Sequence, residues 1–466
     1  MSFNSFDFLI FLGLGMIFYY ISPQKCKSIV LLLISYAFYG LYNWKVLLFL
    51  IGFSVVIYLY GRCLETKKKK IFLYGAVFTA LLPLLLCKYS RWNLVLPLGI
   101  SYFTFKSIGY LADIYKGKIK AEKNIILVCS FIAFFPEMLI GPIDRAENLL
   151  PQLKNREVRA DWENIQKGIF ILLGGYFEKM VIADRLGILV DHVYNGLYVY
   201  EGFIILVAVF GYSFQIYLDF AGCTHMALGV GRILGFSLPE NFKQPYLAVS
   251  VADFWRRWHI SLTSWLRDFI YIPLGGNRRG VIRKYVNIMI VFLISGVWHG
   301  TGICYLIWGG LNGIFQIVGA CTNKVRKNCY TLLHIRDTSM VCIWWKRIWT
   351  FLWMSFAWIF FRMPSISDAI LVLKKAVSKW NPWTLFDGSL FNLGLSQTNM
   401  YLLLILLMVM LLIDLLHEQG VSFSSWMTKC SFPVKCVLSY GIIFAIIILG
   451  IYGDAYDAGS FIYMQF

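Results

Sequence analysis

Apolar residues occupy this chain in long runs, separated by short polar or basic segments. Runs lie near 6–22, 28–42, 45–61, 71–87, 124–142, 166–182, 201–219, 284–299, 303–320, 347–361, 399–416 and 435–452. Most approach the ~18 residues that a helix needs to cross about 30 Å of hydrocarbon. The pattern predicts an all-α polytopic membrane protein with roughly a dozen spanning segments. The segment 94–112, "LVLPLGISYFTFKSIGYLA", departs from it through Pro97, Gly99, Lys106 and Gly109. It reads as a broken or re-entrant element, which lipid tolerates only inside protein or beside a cavity. Over 253–269 the period changes. Trp255, Trp258, Leu262, Trp265 and Phe269 recur at spacings of three and four, one face of an amphipathic helix. Arg256, Arg257, Arg267 and Asp268 fall elsewhere on it, as suits a helix lying in the membrane interface.

Composition agrees with the pattern. The 466 residues are 59% hydrophobic and only 15% charged. Mean hydropathy is +0.66. The net charge of +18 would suggest nucleic acid in a soluble chain. In a polytopic chain, basic loops fix topology by the positive-inside rule. The loops "SPQKCK" (22–27), "ETKKKK" (65–70), "NRRGVIRK" (277–284) and "NKVRKN" (323–328) are then cytoplasmic, the N-terminus lies outside, and so does the polar stretch 378–398. The first run has no basic flank before it and reads as a retained span. The eleven cysteines, with no C-x-x-C pair, predict no disulfide framework, and most are expected as small buried hydrophobes. No internal repeat of the transporter kind is visible. The six histidines form no pair with metal-ligand spacing.

The candidate chemistry gathers between 212 and 313. Asp219, His225, Arg232 and Glu240 lie in or beside apolar sequence. Ionisable groups there are costly, and they serve either function or a buried pair that fixes packing. His259 falls on the aromatic face of the 253–269 pattern. In "PLGGNRRG" (273–280), Gly275 and Gly276 allow backbone N–H groups to turn toward an anion, and Arg278 and Arg279 can grip phosphates. A plain topology signal explains the same arginines. His299 closes the apolar run "YVNIMIVFLISGVWHG", flanked by Gly296, Gly300 and Gly302, with Ser295 one turn back and Asn312 further on. Glycines let another molecule or helix approach closely. A buried imidazole in its neutral form accepts a proton from a hydroxyl, so His299 is a candidate general base.

The segments "DFWRRWHISLTSWLRDFIYIPLGGNRRG" (253–280) and "SGVWHGTGICYLIWGGLNG" (295–313) resemble the bacterial branch of the membrane-bound O-acyltransferase (MBOAT) family. So do "LPLGISYFTFKSIGYLADIYKG" (96–117), "PEMLIGPIDR" (136–145), "YSFQIYLDFAG" (212–222), "LGFSLPENFKQPY" (234–246), "WIFFR" (358–362) and the terminal "FIYMQF". The alginate-acetylating members are the nearest likeness, with the D-alanyl-teichoic-acid acyltransferases as cousins. The resemblance implies one integral-membrane domain over 1–466, with N-terminal peripheral helices (1–90), a catalytic core (91–320) and C-terminal helices (321–466). It implies a ring of roughly 11–13 transmembrane and re-entrant helices around a funnel and tunnel. It makes His299 the catalytic histidine and His259 a second functional one. Arg278, Arg279, Gly275 and Gly276 become donor-binding candidates, and Asp219, Asn312 and Ser295 acceptor or structural polar groups, with no metal.

The implied activity is transfer of an acyl group, acetyl first, from a cytoplasmic thioester to a hydroxyl, for O-acetylation of an extracellular or cell-wall polysaccharide. Acetyl-CoA or an acyl-carrier protein would be the donor, with no bound cofactor, and an SGNH-type extracellular acetyltransferase the partner. D-alanyl transfer to teichoic acid, a glycan transporter or flippase, and a non-catalytic scaffold are the competing readings. The chain departs from the alginate-type pattern in "DFAGCTH" (219–225), where Cys223 replaces an aromatic residue and His225 an aspartate.

Overall fold

The computed structural model describes residues 3–67, 69–90, 95–138, 140–155, 160–421, 426–427 and 429–452. Among them every regular element is a helix. Eight helices are long and apolar enough to cross a membrane: Gln24–Tyr42, Trp44–Lys67, Lys70–Tyr89, Phe203–Ile233, Val281–His299, Ile303–Cys321, Gln397–Glu418 and Phe432–Leu449. The chain is a multi-pass membrane protein. The remaining expected runs are helical but shorter, interrupted or less apolar. Phe6–Ile21 has 16 residues, its first turn capped by Ser5. The run 124–142 splits into Ile125–Ile132 and Phe135–Met138. The run 166–182 passes from Trp162–Tyr176 into the π-helical segment Phe177–Ala183. The run 347–361 lies in Met340–Arg362, with Lys346, Arg347 and Arg362 among its apolar residues. The terminal "FIYMQF" lies outside the described residues.

The chain forms two compact units, Met1–Tyr176 with Cys223–Glu240, and Phe177–Gly222 with Asn241–Phe466. At the centre of the first is the helix Ile100–Tyr115, buried along almost its whole length. The sequence suggests a break within 94–112, yet from Ile100 onward the helix is continuous through Lys106 and Gly109. The special geometry precedes it: Gly99 has φ +68°, and a Cβ there would lie 2.1 Å from the Met138 carbonyl oxygen. Lys106 does not break the helix because it is ion-paired to Glu137, and both side chains are buried. Its ammonium also sits 4.6 Å from the Phe131 ring centroid. Buried Asp144 feels the same cation.

The second unit repeats this solution. Lys179 pairs with Asp184 at 2.6 Å and with Asp219 at 2.7 Å, all three side chains buried. One ammonium therefore serves two carboxylates, joining the π-helical segment at Phe177–Ala183 to the long helix Phe203–Ile233. The burial of most cysteines is not observed. All eleven are free thiols, and only Cys129, Cys223, Cys304 and Cys342 are buried.

Removing one member of a buried ion cluster leaves uncompensated charge and costs about 3–5 kcal/mol. Lys179→Met should therefore lower the thermal unfolding midpoint of the purified protein sharply. Lys167→Met, which removes an exposed pair with Glu163, should leave it nearly unchanged. Equal midpoints for the two variants would contradict a structural role for the Lys179 cluster.

Candidate active site

The residues expected to carry chemistry between 253 and 313 all fall in the second unit. The single helix expected over 253–269 is instead two seven-residue helices, Val251–Arg257 and Ile260–Leu266, followed by a π-helical segment, Arg267–Tyr271. The break falls at His259, whose backbone is left-handed with φ 43° and ψ 54°. That conformation is uncommon for a residue with a Cβ. No glycine or proline marks it. Its cause lies in the preceding loop. The Asn241 carbonyl accepts the Ile260 N–H at 3.0 Å, and Asn241 Oδ1 accepts the Ser261 N–H at 3.2 Å. These are N-terminal donors that a helix cannot satisfy for itself. The Lys243 N–H donates to the Arg257 carbonyl at 3.0 Å, closing the other side of the break. Trp255, Trp258, Leu262 and Trp265 are nevertheless all buried, so the aromatic face survives the break.

The His259 ring is buried against Phe220, edge to face, with centroids 4.8 Å apart. Among the described residues neither ring nitrogen has a hydrogen-bond partner. His259 lies outside the membrane-length helices. Burial disfavours its cationic form and lowers its pKa to about 3. Its imidazole is therefore neutral at physiological pH.

His299 ends the helix Val281–His299 and is 4% exposed. Aromatic rings surround it. Trp308 stands nearly perpendicular at 5.0 Å, Phe361 at 5.1 Å and Trp298 at 4.5 Å between centroids. Trp298 also reaches the His259 ring at 6.3 Å, so the two histidines share one indole neighbour. The glycines near His299 make room for a helix. A Cβ on Gly296 would lie 2.4 Å from the Tyr305 carbonyl oxygen, and one on Gly309 would lie 2.3 Å from that of Phe292. The helices Val281–His299 and Ile303–Cys321 cross backbone to backbone at this point. Gly300 is likewise covered by the Tyr305 ring.

Asn312 is fully buried. Its Oδ1 accepts from the indole N–H of Trp255 at 3.0 Å, and its Nδ2 donates to the Trp308 carbonyl at 2.8 Å. It therefore ties the first short helix to the turn that places Trp308 against His299. Ser295 is buried one turn before His299. Asp219 belongs to the Lys179 cluster, a structural pairing. Arg278 and Arg279 are exposed. Gly275 and Gly276 have φ +106° and +56°, but their N–H groups donate to the carbonyls of Ile272 and Tyr271. The turn thus uses the amides assigned to an anion, and its arginines remain the groups able to meet one. Cys223, His225, Arg232 and Glu240 belong to the other unit.

The sequence pattern alone does not single out Asn241, Trp298, Trp308, Phe361 or Lys179. Trp308 had a signal, standing one turn before Asn312 in "WGGLNG". Asn241 had none, because its role exists only after folding.

Residues 119–361 match the model of the membrane-bound O-acyltransferase family, MBOAT, a span that includes both histidines. The chain is 34% identical to "Probable alginate O-acetylase AlgI" of Pseudomonas fluorescens, over 84% of this chain and 78% of that protein. It is 32% identical to the peptidoglycan O-acetyltransferase of Helicobacter pylori, over 79% and 78%. It is 29% identical to the teichoic acid D-alanyltransferase of Bacillus subtilis, over 58% and 73%. These matches make the chain a membrane enzyme of the O-acyltransferase class. The chain belongs to the MBOAT family.

The crossing beside His299 gives a sharp test. A methyl group on Gly309 must displace backbone, and overpacking of this kind costs typically about 1–3 kcal/mol. Gly310, one residue on, would place its Cβ 3.9 Å from only the Leu293 Cδ2. Gly309→Ala should lower both thermal stability and acyl transfer, whereas Gly310→Ala should match wild type. Wild-type behaviour of Gly309→Ala would remove the close crossing from the description of the site.

Proposed function

We propose that this protein moves an acetyl group from a cytoplasmic thioester, acetyl-CoA or a charged carrier protein, to a hydroxyl acceptor. The product is O-acetylation of an extracellular or cell-wall polysaccharide, reached through an SGNH-type partner acetyltransferase outside. The observation that carries the reading is His299, a buried imidazole among aromatic rings at the end of an apolar helix. The relatives named as acetylases of alginate and of peptidoglycan supply the acyl group and the acceptor class. The D-alanyltransferase is more distant and matches less of this chain, which favours acetyl over D-alanyl.

In this mechanism a ring nitrogen of His299 takes the proton of the acceptor hydroxyl as the oxygen attacks the thioester carbonyl carbon. The tetrahedral intermediate carries its negative charge on the former carbonyl oxygen. Preorganised donors stabilise such an oxyanion. The indole N–H of Trp308 and the ring N–H of His259 are buried and have no partner among the described residues, which suits them to that role. The C–S bond then breaks, and the leaving thiolate takes the proton back from the His299 imidazolium. Walls of tryptophan and phenylalanine keep water from hydrolysing the thioester. No bound cofactor or metal takes part.

Orientation follows from the basic loops. The N-terminus lies outside, and the turn bearing Arg278 and Arg279 faces the cytoplasm, where donor phosphates or an acidic carrier arrive. A glycan flippase is the competing reading, and it predicts no transacylation by purified protein in detergent, where no gradient exists.

His299→Gln should reduce acetyl transfer by about 10²–10⁴-fold, the usual cost of a lost general base, while leaving the unfolding midpoint unchanged. Near-wild-type acetylation by the purified variant would end the general-base assignment. Arg278→Gln with Arg279→Gln should raise KM for the donor more than it lowers kcat, the mark of lost ground-state binding. A cysteine at Asn277 tests sidedness, in a background lacking the exposed thiols Cys26, Cys63, Cys321 and Cys329. Labelling of intact cells by an impermeant thiol reagent would place the turn outside and remove the donor route.

A further inference from the structure

The first unit holds a cavity of about 160 Å³ lined by Lys25, Ser28, Ile29, Asn124, Ile126, Leu127 and Lys154. Its two halves differ in chemistry. One half is cationic and polar. Lys25 lies on the turn before the helix Lys27–Tyr42, and Lys154 is the last residue of the helix Ala146–Lys154. Two helices begin beside the cavity, at Gln24 and at Ile125, and residues of their first turns line it, where the positive end of a helix dipole lies. Asn124 caps the second through its Oδ1, which accepts the Ile126 N–H at 3.0 Å. Glu122 is paired with Lys154. The Lys154 side chain stays 55% exposed, and an ammonium has three donors, so the pairing leaves it able to bind a second anion.

The other half is apolar and continues beyond the cavity. Ile29 is exposed at the cavity wall, and Leu33, Ala37 and Leu41 follow it as exposed residues at intervals of four. On a helix this spacing makes one stripe. The stripe is exposed on a helix long and apolar enough to cross a membrane, which makes it accessible to lipid. A cationic pocket at a helix end that opens onto a lipid-facing apolar stripe matches one kind of molecule in both halves.

We propose that this cavity seats the headgroup of an anionic phospholipid, with its phosphate on Lys25 and Lys154 and an acyl chain along Ile29, Leu33, Ala37 and Leu41. A soluble phosphate or a nucleotide would use the lysines and leave the stripe unused. By the positive-inside rule this end lies on the cytoplasmic side, and basic pockets between helices there suit anionic headgroups. The site sits in a different unit from His299 and does not depend on the reaction assigned to it.

Native mass spectrometry of the purified full-length protein tests this, with phosphatidylglycerol or phosphatidylcholine added in detergent. Wild type should retain phosphatidylglycerol in clear preference. At about fivefold per basic residue near a membrane surface, Lys25→Gln with Lys154→Gln should weaken that retention about 30-fold. Lys25→Arg with Lys154→Arg should keep it. Leu33→Asn alters no charge and should also weaken it, so the proposal is not tied to the folding of one variant. Equal retention of the two lipids by wild type would overturn the proposal, as would an unchanged double glutamine variant. Displacement of phosphatidylglycerol by millimolar inorganic phosphate or coenzyme A would also overturn it, showing a soluble-anion site.

Discussion

The candidate site rests on how Asn241 serves a broken helix. Where a helix break is buried in protein away from water, its freed backbone N–H groups need partners from another part of the chain. Asn241 supplies two, one through its carbonyl and one through its side chain, to the N–H groups of Ile260 and Ser261. With these met, His259 can hold a left-handed backbone between two short helices. Its ring then reaches Phe220 and Trp298. A continuous helix across this segment would keep Ile260 and Ser261 bonded to their own preceding turn and would carry the His259 side chain elsewhere.

The partner elements are drawn in by two further devices, neither of which uses apolar burial alone. Lipid tails are as apolar as leucine, so association between helices depends on close fit and on polar links. Close fit comes from Gly296 and Gly309, which bring two helix backbones together beside His299. The polar link is Asn312, bonded on one side to Trp255 and on the other to the Trp308 carbonyl. The lysine clusters play a similar part at larger scale. Lys106 with Glu137, and Lys179 with Asp184 and Asp219, join separate elements within each unit. Each would be a liability as an isolated charge and becomes a specific lock once paired.

What was legible in the sequence follows the range of the forces involved. The spanning helices could be read because hydropathy is local to each run. The aromatic face at Trp255, Trp258, Leu262 and Trp265 could be read for the same reason, and its burial holds although the helix carrying it does not continue. The break at His259 was invisible because its cause sits 18 residues earlier and takes the form of hydrogen bonds made only in the folded chain. Lys106 misled for a related reason. Alone in an apolar stretch it reads as a breaker, but Glu137 makes it an ordinary buried pair. The glycines around His299 read as space for a ligand or a helix, and the backbones of Tyr305 and Phe292 fill that space at Gly296 and Gly309.

The two histidines differ in surroundings, and the difference bears on their chemistry. His259 is held by an unusual backbone conformation and packed edge to face on a phenylalanine, and burial keeps it neutral. A neutral ring with both nitrogens unpaired among the described residues can donate one hydrogen bond and accept another without changing charge, which suits the oxyanion role proposed for it more than proton exchange. His299 sits where a helix ends, and the carbonyls of a last turn favour a positive charge. That is the electrostatic condition the proposed general base needs once it holds a proton. Trp298 neighbours both rings. In the proposed reaction the acyl donor and the acceptor hydroxyl meet among these aromatic rings, where His299 gains its charge at a helix end while the His259 ring stays neutral.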